Sequence, residues 1–116
     1  MSAKAEKSNL SKEKLDAYEK LIATNSKIEL KGASVPYTSY NGHMFSYFEK
    51  DGTFGLRLPE KEREAFLRKY NTTLFISYGI VKKEFVLVPE KLLLNFKEIR
   101  PYFAISFEYV KSLKKK

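Results

Sequence analysis

The spacing of apolar positions changes several times along this chain, and each change marks an element. Leu15, Tyr18, Leu21 and Ile22 recur at three- and four-residue steps, the period of one helical face, and Ser11 stands where an N-cap belongs. This predicts a helix over 11–25, closed by Asn25-Ser26. Residues 1–10 hold too little apolar material to pack and are expected to be disordered. Residues 27–35, with Gly32 among them, carry weak signals, so a turn or short strand is expected at Ile28–Lys31. Val35–Tyr40 is β-branched and aromatic and reads as a strand. Pro36 belongs at its start or on an edge, because it cannot donate to a ladder. Asn41-Gly42 supplies both positive-φ positions of a type I′ hairpin turn.

The segment Asn41–Pro59 reads as a hairpin turning at Asp51-Gly52. A two- or four-residue loop sets Phe45 opposite Leu58, Tyr47 opposite Leu56 and Glu49 opposite Phe54. Phe45, Tyr47, Phe54, Leu56 and Leu58 then form the core face, with Met44, Ser46, Phe48, Thr53, Gly55 and Arg57 behind them. A three-residue loop breaks this agreement and is disfavoured. Gly55 inside the strand reads as a bulge rather than as the close approach of another backbone. Pro59 fits the first turn of a second helix over 59–70, where its missing N–H costs nothing. Glu60, Glu62 and Glu64 complement the positive end of the helix dipole, and Asn71 ends it. Leu74–Tyr78 and Lys83–Val88 read as two more strands about Gly79. Pro89-Glu90 opens a short helix through Leu92–Leu94, and Pro101 opens a last helix over 101–113 with Phe103, Phe107 and Val110 on one stripe.

The order α-β(3)-α-β(2)-α(α) predicts an α+β fold of two layers, a five-stranded antiparallel sheet with helices on one face. It lacks the βαββαβ crossovers of ferredoxin-like and RNA-recognition folds. The expected organisation is a disordered N-terminus over 1–10, one domain over 11–113 and a basic tail over 114–116.

Composition narrows the function classes. The chain has 116 residues, 43% of them hydrophobic and 15% aromatic, enough for one domain with a core. It has no cysteine and one histidine. Disulfides, thiolate chemistry and His/Cys zinc sites within one chain are thereby excluded. The opening residues lack the apolar stretch of a secretory signal, and no apolar run approaches the roughly 20 residues that span a bilayer. A cytoplasmic location without membrane contact is expected. The formal charge is +8, and the last nine residues alone carry +3. Lys111, Lys114, Lys115 and Lys116 are therefore the candidates for nucleic-acid contact through counterion release, although a solvated tail is the plainer reading.

Nothing in the sequence assembles a catalytic site. His43 and Asp51 stand at opposite ends of one hairpin, and His43 reads as a strand-end side chain without a partner. The five glycines form no phosphate-binding pattern. No enzyme activity, metal or cofactor is expected. What survives is an aromatic-basic patch of Tyr37, Tyr40, Phe48, Arg57, Lys82 and Lys83, residue types that stack bases or hold a peptide. Covered sheet faces or a dimer contact would account for the same residues.

Gly42-His43-Met44-Phe45, the strand end Leu56-Arg57-Leu58-Pro59, the phrase Glu84-Phe85-Val86-Leu87-Val88-Pro89-Glu90 and the closing Tyr102-Phe103 and Tyr109-Val110 resemble the N-terminal domain of the TfoX (Sxy) competence-regulator family. The resemblance spans roughly Ser11 to Leu113. It departs at Ser46-Tyr47, where TfoX-like domains have a glycine after the Met-Phe pair. It implies an α-β(3)-α-β(2)-α two-layer domain, here in a stand-alone form without the C-terminal domain of full-length TfoX regulators, and it brings no catalytic residues. The expected function is a small binding or regulatory module acting through contacts with a protein partner or a second copy. A nucleic-acid-associated regulator of transcription or competence is the alternative.

Overall fold

Ser11 caps the first helix through its side chain, which accepts the Lys14 backbone N–H at 3.2 Å. The computed structural model describes residues 11–32 and 35–115, so the disorder expected of residues 1–10 lies outside the described residues, as does Lys116. The elements are α1 (Lys12–Ile22), β1 (Tyr37–Tyr40), β2 (His43–Phe48), β3 (Phe54–Arg57), α2 (Glu60–Lys69), β4 (Leu74–Ser77), β5 (Ile80–Val88), α3 (Glu90–Leu93) and α4 (Phe96–Ser112). The fold is the α+β arrangement expected: one antiparallel five-stranded sheet in the order β1-β2-β3-β5-β4, with the helices on one face.

Asn41 and Gly42 take φ of 54° and 84° and close β1 onto β2 as the sequence predicts. The next hairpin differs from the expectation. Ser46 pairs with Leu56, Tyr47 with Gly55 and Phe48 with Phe54. The loop is the disfavoured three-residue one, Lys50-Asp51-Gly52. Glu49 N–H donates to the Thr53 carbonyl at 2.9 Å, and Gly52 N–H donates to the Glu49 carbonyl at 2.9 Å. Gly52 sits at φ 88°, the left-handed residue that a three-residue hairpin needs, and Asp51 Oδ1 accepts the Thr53 N–H at 3.0 Å.

That one-residue shift sends Tyr47 to the far face and turns Phe48 inward. Phe45 stays inward because β2 is bulged. Thr38 pairs with Ser46 and Ser39 with Met44, so Phe45 has no partner in β1. Phe45 and Ser46 therefore both point at the helices. Phe45 packs on Phe103 and Phe107 of α4, with ring centroids 5.7 and 5.8 Å away. Ser46 Oγ lies 2.7 Å from Tyr18 Oη of α1 and 2.5 Å from Thr38 Oγ1. Tyr18, fully buried, meets Phe48, Phe54 and Phe103 edge-on. Burial and hydrogen bonding are reconciled throughout: among the described residues no buried side-chain nitrogen or oxygen lacks a partner.

Two further expectations are corrected. Gly55 is not at a bulge, since β3 pairs with both neighbours in unbroken register. Pro101 does not open the last helix but lies inside α4. The start is Asn95, whose side chain accepts the Glu98 N–H at 3.4 Å while its amide donates to Glu98 Oε1 at 3.3 Å. The last hairpin is longer than predicted. Tyr78 and Gly79 take φ of 54° and 75°, a two-residue turn joining Ser77 to Ile80.

Candidate functional site: the open face of the sheet

With the helices on one face, the other face has, among the described residues, only the sheet's own side chains for cover. Tyr47, moved outward by the hairpin register, is its centre. Phe75 of β4 meets it edge-on at 5.1 Å and Phe85 of β5 at 5.3 Å. Phe75 reaches Tyr47 by lying over Gly55, where an added Cβ would stand 2.6 Å from the ring. Phe75 is 1% exposed although it stands outside the main core. The glycine thus serves close approach, by a ring rather than by the second backbone that the sequence suggests beside a bulge.

Beside this cluster lies a cleft of about 310 Å³, walled by Tyr37, Met44, Tyr47 and Tyr78, with Lys50 and Lys82 at its rim. Glu49 is also there, but its carboxylate is engaged: Ser77 Oγ–H donates to Glu49 Oε2 in a short bond. Burial lifts the Tyr47 hydroxyl above the ordinary tyrosine value. The hydrogen-bonding contact with Ser77 opposes that shift and the nearby Glu49 charge adds to it. Tyr47 is therefore a neutral hydroxyl in this cleft. The arrangement offers flat aromatic contact, an apolar thioether and two ammonium groups with no ion pair among the described residues.

The six residues predicted for a binding surface do not converge. Tyr37, Phe48 and Lys82 border the cleft. Phe48 is 2% exposed and its ring packs in the core. Tyr40 packs edge-on against Phe107 at 5.0 Å, on the helical side. Arg57 is committed to structure. Its Nε and Nη2 bind Glu84 Oε1 at 2.7 and 2.6 Å, its Nη1 donates to the Met44 carbonyl at 3.3 Å, and its guanidinium lies near the rings of Phe85 and Tyr109. Burial works against the Glu84 charge. The Arg57 hydrogen bonds and charge outweigh it, and Tyr109 Oη donating at 3.1 Å helps hold the carboxyl below the ordinary glutamate range. Lys83 is exposed in β5 and does not line the cleft. The sequence reading missed Met44, Tyr47, Lys50 and Tyr78. Gly52 in a three-residue loop was the signal that would have turned Tyr47 outward.

The basic tail divides in two. Lys111 belongs to α4, where it pairs with Glu108 at 3.6 Å and lies 5.8 Å from the Phe107 ring centroid. Lys114 and Lys115 follow the helix and are exposed. His43 is not the unpartnered side chain expected. Its Nε2 lies 2.7 Å from the Lys114 carbonyl. A carbonyl can only accept, so Nε2 carries the proton and donates. Among the described residues no three of His, Cys, Asp or Glu gather as a metal site requires, and no helix is long and apolar enough to cross a membrane. No family model matches the chain, and no curated protein or solved structure matches it.

Proposed function

We propose that this chain is a non-catalytic binding module that takes an extended, acidic and apolar segment of a partner protein on the open face of its sheet. The observation that carries the reading is the cleft beside Tyr47: an aromatic wall with Lys50 and Lys82 at its rim and its one carboxylate already engaged by Ser77. An extended segment lays alternate side chains on such a surface. Its acidic positions would meet the two lysines and its apolar positions the rings of Tyr37 and Tyr78. The resemblance to the TfoX N-terminal domain supports a regulatory module over an enzyme. The exposed Lys114 and Lys115 favour a second reading, sequence-independent contact with nucleic acid.

The test is fluorescence polarisation with labelled peptides that alternate Asp or Glu with apolar residues, and with a DNA duplex as the second probe. The Lys50→Glu/Lys82→Glu protein should keep its melting temperature and lose peptide affinity by about fivefold or more, the scale of two exposed ion pairs turned repulsive. Peptide affinity unchanged by this double reversal would remove the cleft reading. Duplex binding that survives the reversal and falls steeply with salt would put the nucleic-acid reading in its place.

A further inference from the structure

The sheet has two edges, and they are finished differently. Beside β1 runs a one-residue bridge in which Lys31 N–H donates to the Tyr37 carbonyl at 2.9 Å and Tyr37 N–H to the Lys31 carbonyl at 3.0 Å. Lys31 Nζ then donates to Ser39 Oγ at 2.9 Å, Pro36 precedes the strand, and the β1–β2 register is bulged. Proline, a bulge, a charge and a covering segment are the devices that stop an edge from pairing with another chain. At β4 the described residues show no proline, charge or covering segment on the outer edge, and the one register shift, between Leu74 and Phe75, leaves Phe75–Ser77 evenly paired with Ile80–Lys82. The eleven residues Asn71–Val81 contain no charged side chain and no proline. Ile76, Tyr78, Ile80 and Val81 are 56, 81, 60 and 48% exposed, four of the seven large hydrophobics exposed among the described residues.

The backbone of this edge is set for a two-fold partner. The two-residue turn makes Ser77 and Ile80 a hydrogen-bonded pair. Alternation then leaves the N–H and C=O of Ile76 pointing away from β5. An antiparallel strand centred on Ile76 would exchange both bonds with it, and a second β4 presents the same pair of groups at the same residue. With Ile76 opposite Ile76 of the other copy, Val81, the cross-strand partner of Ile76, extends the contact on both sides. The result is a row of four apolar side chains across the dyad. Charge points to the same occupant. Two chains of formal charge +8 repel, and a neutral edge is where they approach at least cost.

We infer that β4 is the contact through which two copies of this chain pair, joining their sheets into one of ten strands with both helical layers on one side. This stands independently of the cleft. A standard interface takes about 800 Å² from each partner. Four side chains and a four-residue edge supply less, so the dimer belongs to the weak class and forms at high concentration.

The experiment is sedimentation equilibrium of the whole chain up to about 1 mM, joined to amide hydrogen exchange at two concentrations. The mass should rise from 13.5 kDa toward twice that value. The Ile76 amide should exchange several-fold more slowly in the concentrated sample. Ile76→Lys, at an exposed position, should hold the protein monomeric with an unchanged melting temperature, and Val81→Lys should do the same. Met44→Lys, on the open face, should leave the dimer intact. A chain that stays at 13.5 kDa throughout overturns the inference. So does a dimer that survives Ile76→Lys and Val81→Lys, or one that Met44→Lys abolishes.

Discussion

Replacing Gly55 with alanine is a one-carbon change whose sign the structure decides. In an open strand the substitution is favourable by about 0.5–1 kcal/mol, because alanine has less backbone freedom to lose. Here the new Cβ would lie 2.6, 2.7 and 2.8 Å from Cδ2, Cγ and Cε2 of Phe75. Those atoms include the root of the ring, which cannot move aside without moving the whole side chain. Phe75 is held by Tyr47 at 5.1 Å and is 1% exposed. Overpacking of this kind costs about 1–3 kcal/mol. The net expectation is a destabilisation of about 1–2 kcal/mol. With a urea slope of about 1–3 kcal/mol/M for a small protein, the midpoint should fall by roughly 0.3–2 M. Urea titration followed by far-UV circular dichroism suits a chain that has no tryptophan. The decisive arm is the double-mutant cycle. Phe75→Ala removes the obstacle, so Gly55→Ala added to it should be neutral or stabilising, and the two changes should couple by more than about 1 kcal/mol. A midpoint that rises on Gly55→Ala with Phe75 present, or falls equally in both backgrounds, would refute the packing argument.

Two other predictions concern polar groups. Ser46→Ala should cost about 1–3 kcal/mol in the same titration, because it takes their shared partner from the buried hydroxyls of Thr38 and Tyr18 and leaves Tyr18 only the Ser46 carbonyl at 3.3 Å. Tyr18→Phe and Thr38→Val added together should recover part of that loss, and no recovery would mean that the network does not carry it. Glu84, held below the ordinary glutamate range chiefly by Arg57 against the cost of burial, stabilises the fold above the unfolded carboxyl's pKa. That contribution disappears as the pH falls through the lower, folded value. Glu84→Gln should therefore flatten the acid limb of a melting-temperature profile, and an unchanged limb would show that the Arg57 pair is not what sets it.

Local chemistry made much of the fold readable. Ser11 before a 3.6-residue period, Asn41-Gly42 at positive φ and the proline–glutamate openings at 59–60 and 89–90 each act through neighbours within a few residues. The errors arose where two local solutions were nearly equal. Aromatic residues occupy both parities of β2, so Phe45 and Tyr47 in one face looked as sound as Phe48 with Phe54. Asp51-Gly52 satisfies a two-residue turn and a three-residue loop alike. Pro101 is a strong helix-start signal in isolation, but Asn95 and Glu98, six and three residues before it, form the cap. The cleft was harder to see because it depends on contacts across the sheet. That Phe75 would rest on Gly55 and brace Tyr47 follows from β4 lying two strands from β3, which neither segment states alone. Arg57 looked like a free cation because its partners Glu84 and Tyr109 are 27 and 52 residues away.

The unmatched Phe45 has a consequence for how this strand can change over evolutionary time. It splits β2 into two stretches that answer to different parts of the protein. His43 and Phe45 are tied to the far end of the chain, through the Lys114 carbonyl and through Ser106, whose hydroxyl donates to the Phe45 carbonyl at 3.2 Å. Ser46 and Phe48 are tied to its beginning, through Tyr18. A substitution in one stretch is answered first by a different helix, although Tyr18 and Phe103 meet edge-on between the two. The two halves of a six-residue strand can therefore drift separately. Related chains compared over this strand should align as two short blocks that meet between positions 45 and 46, each block covarying with a different terminal helix.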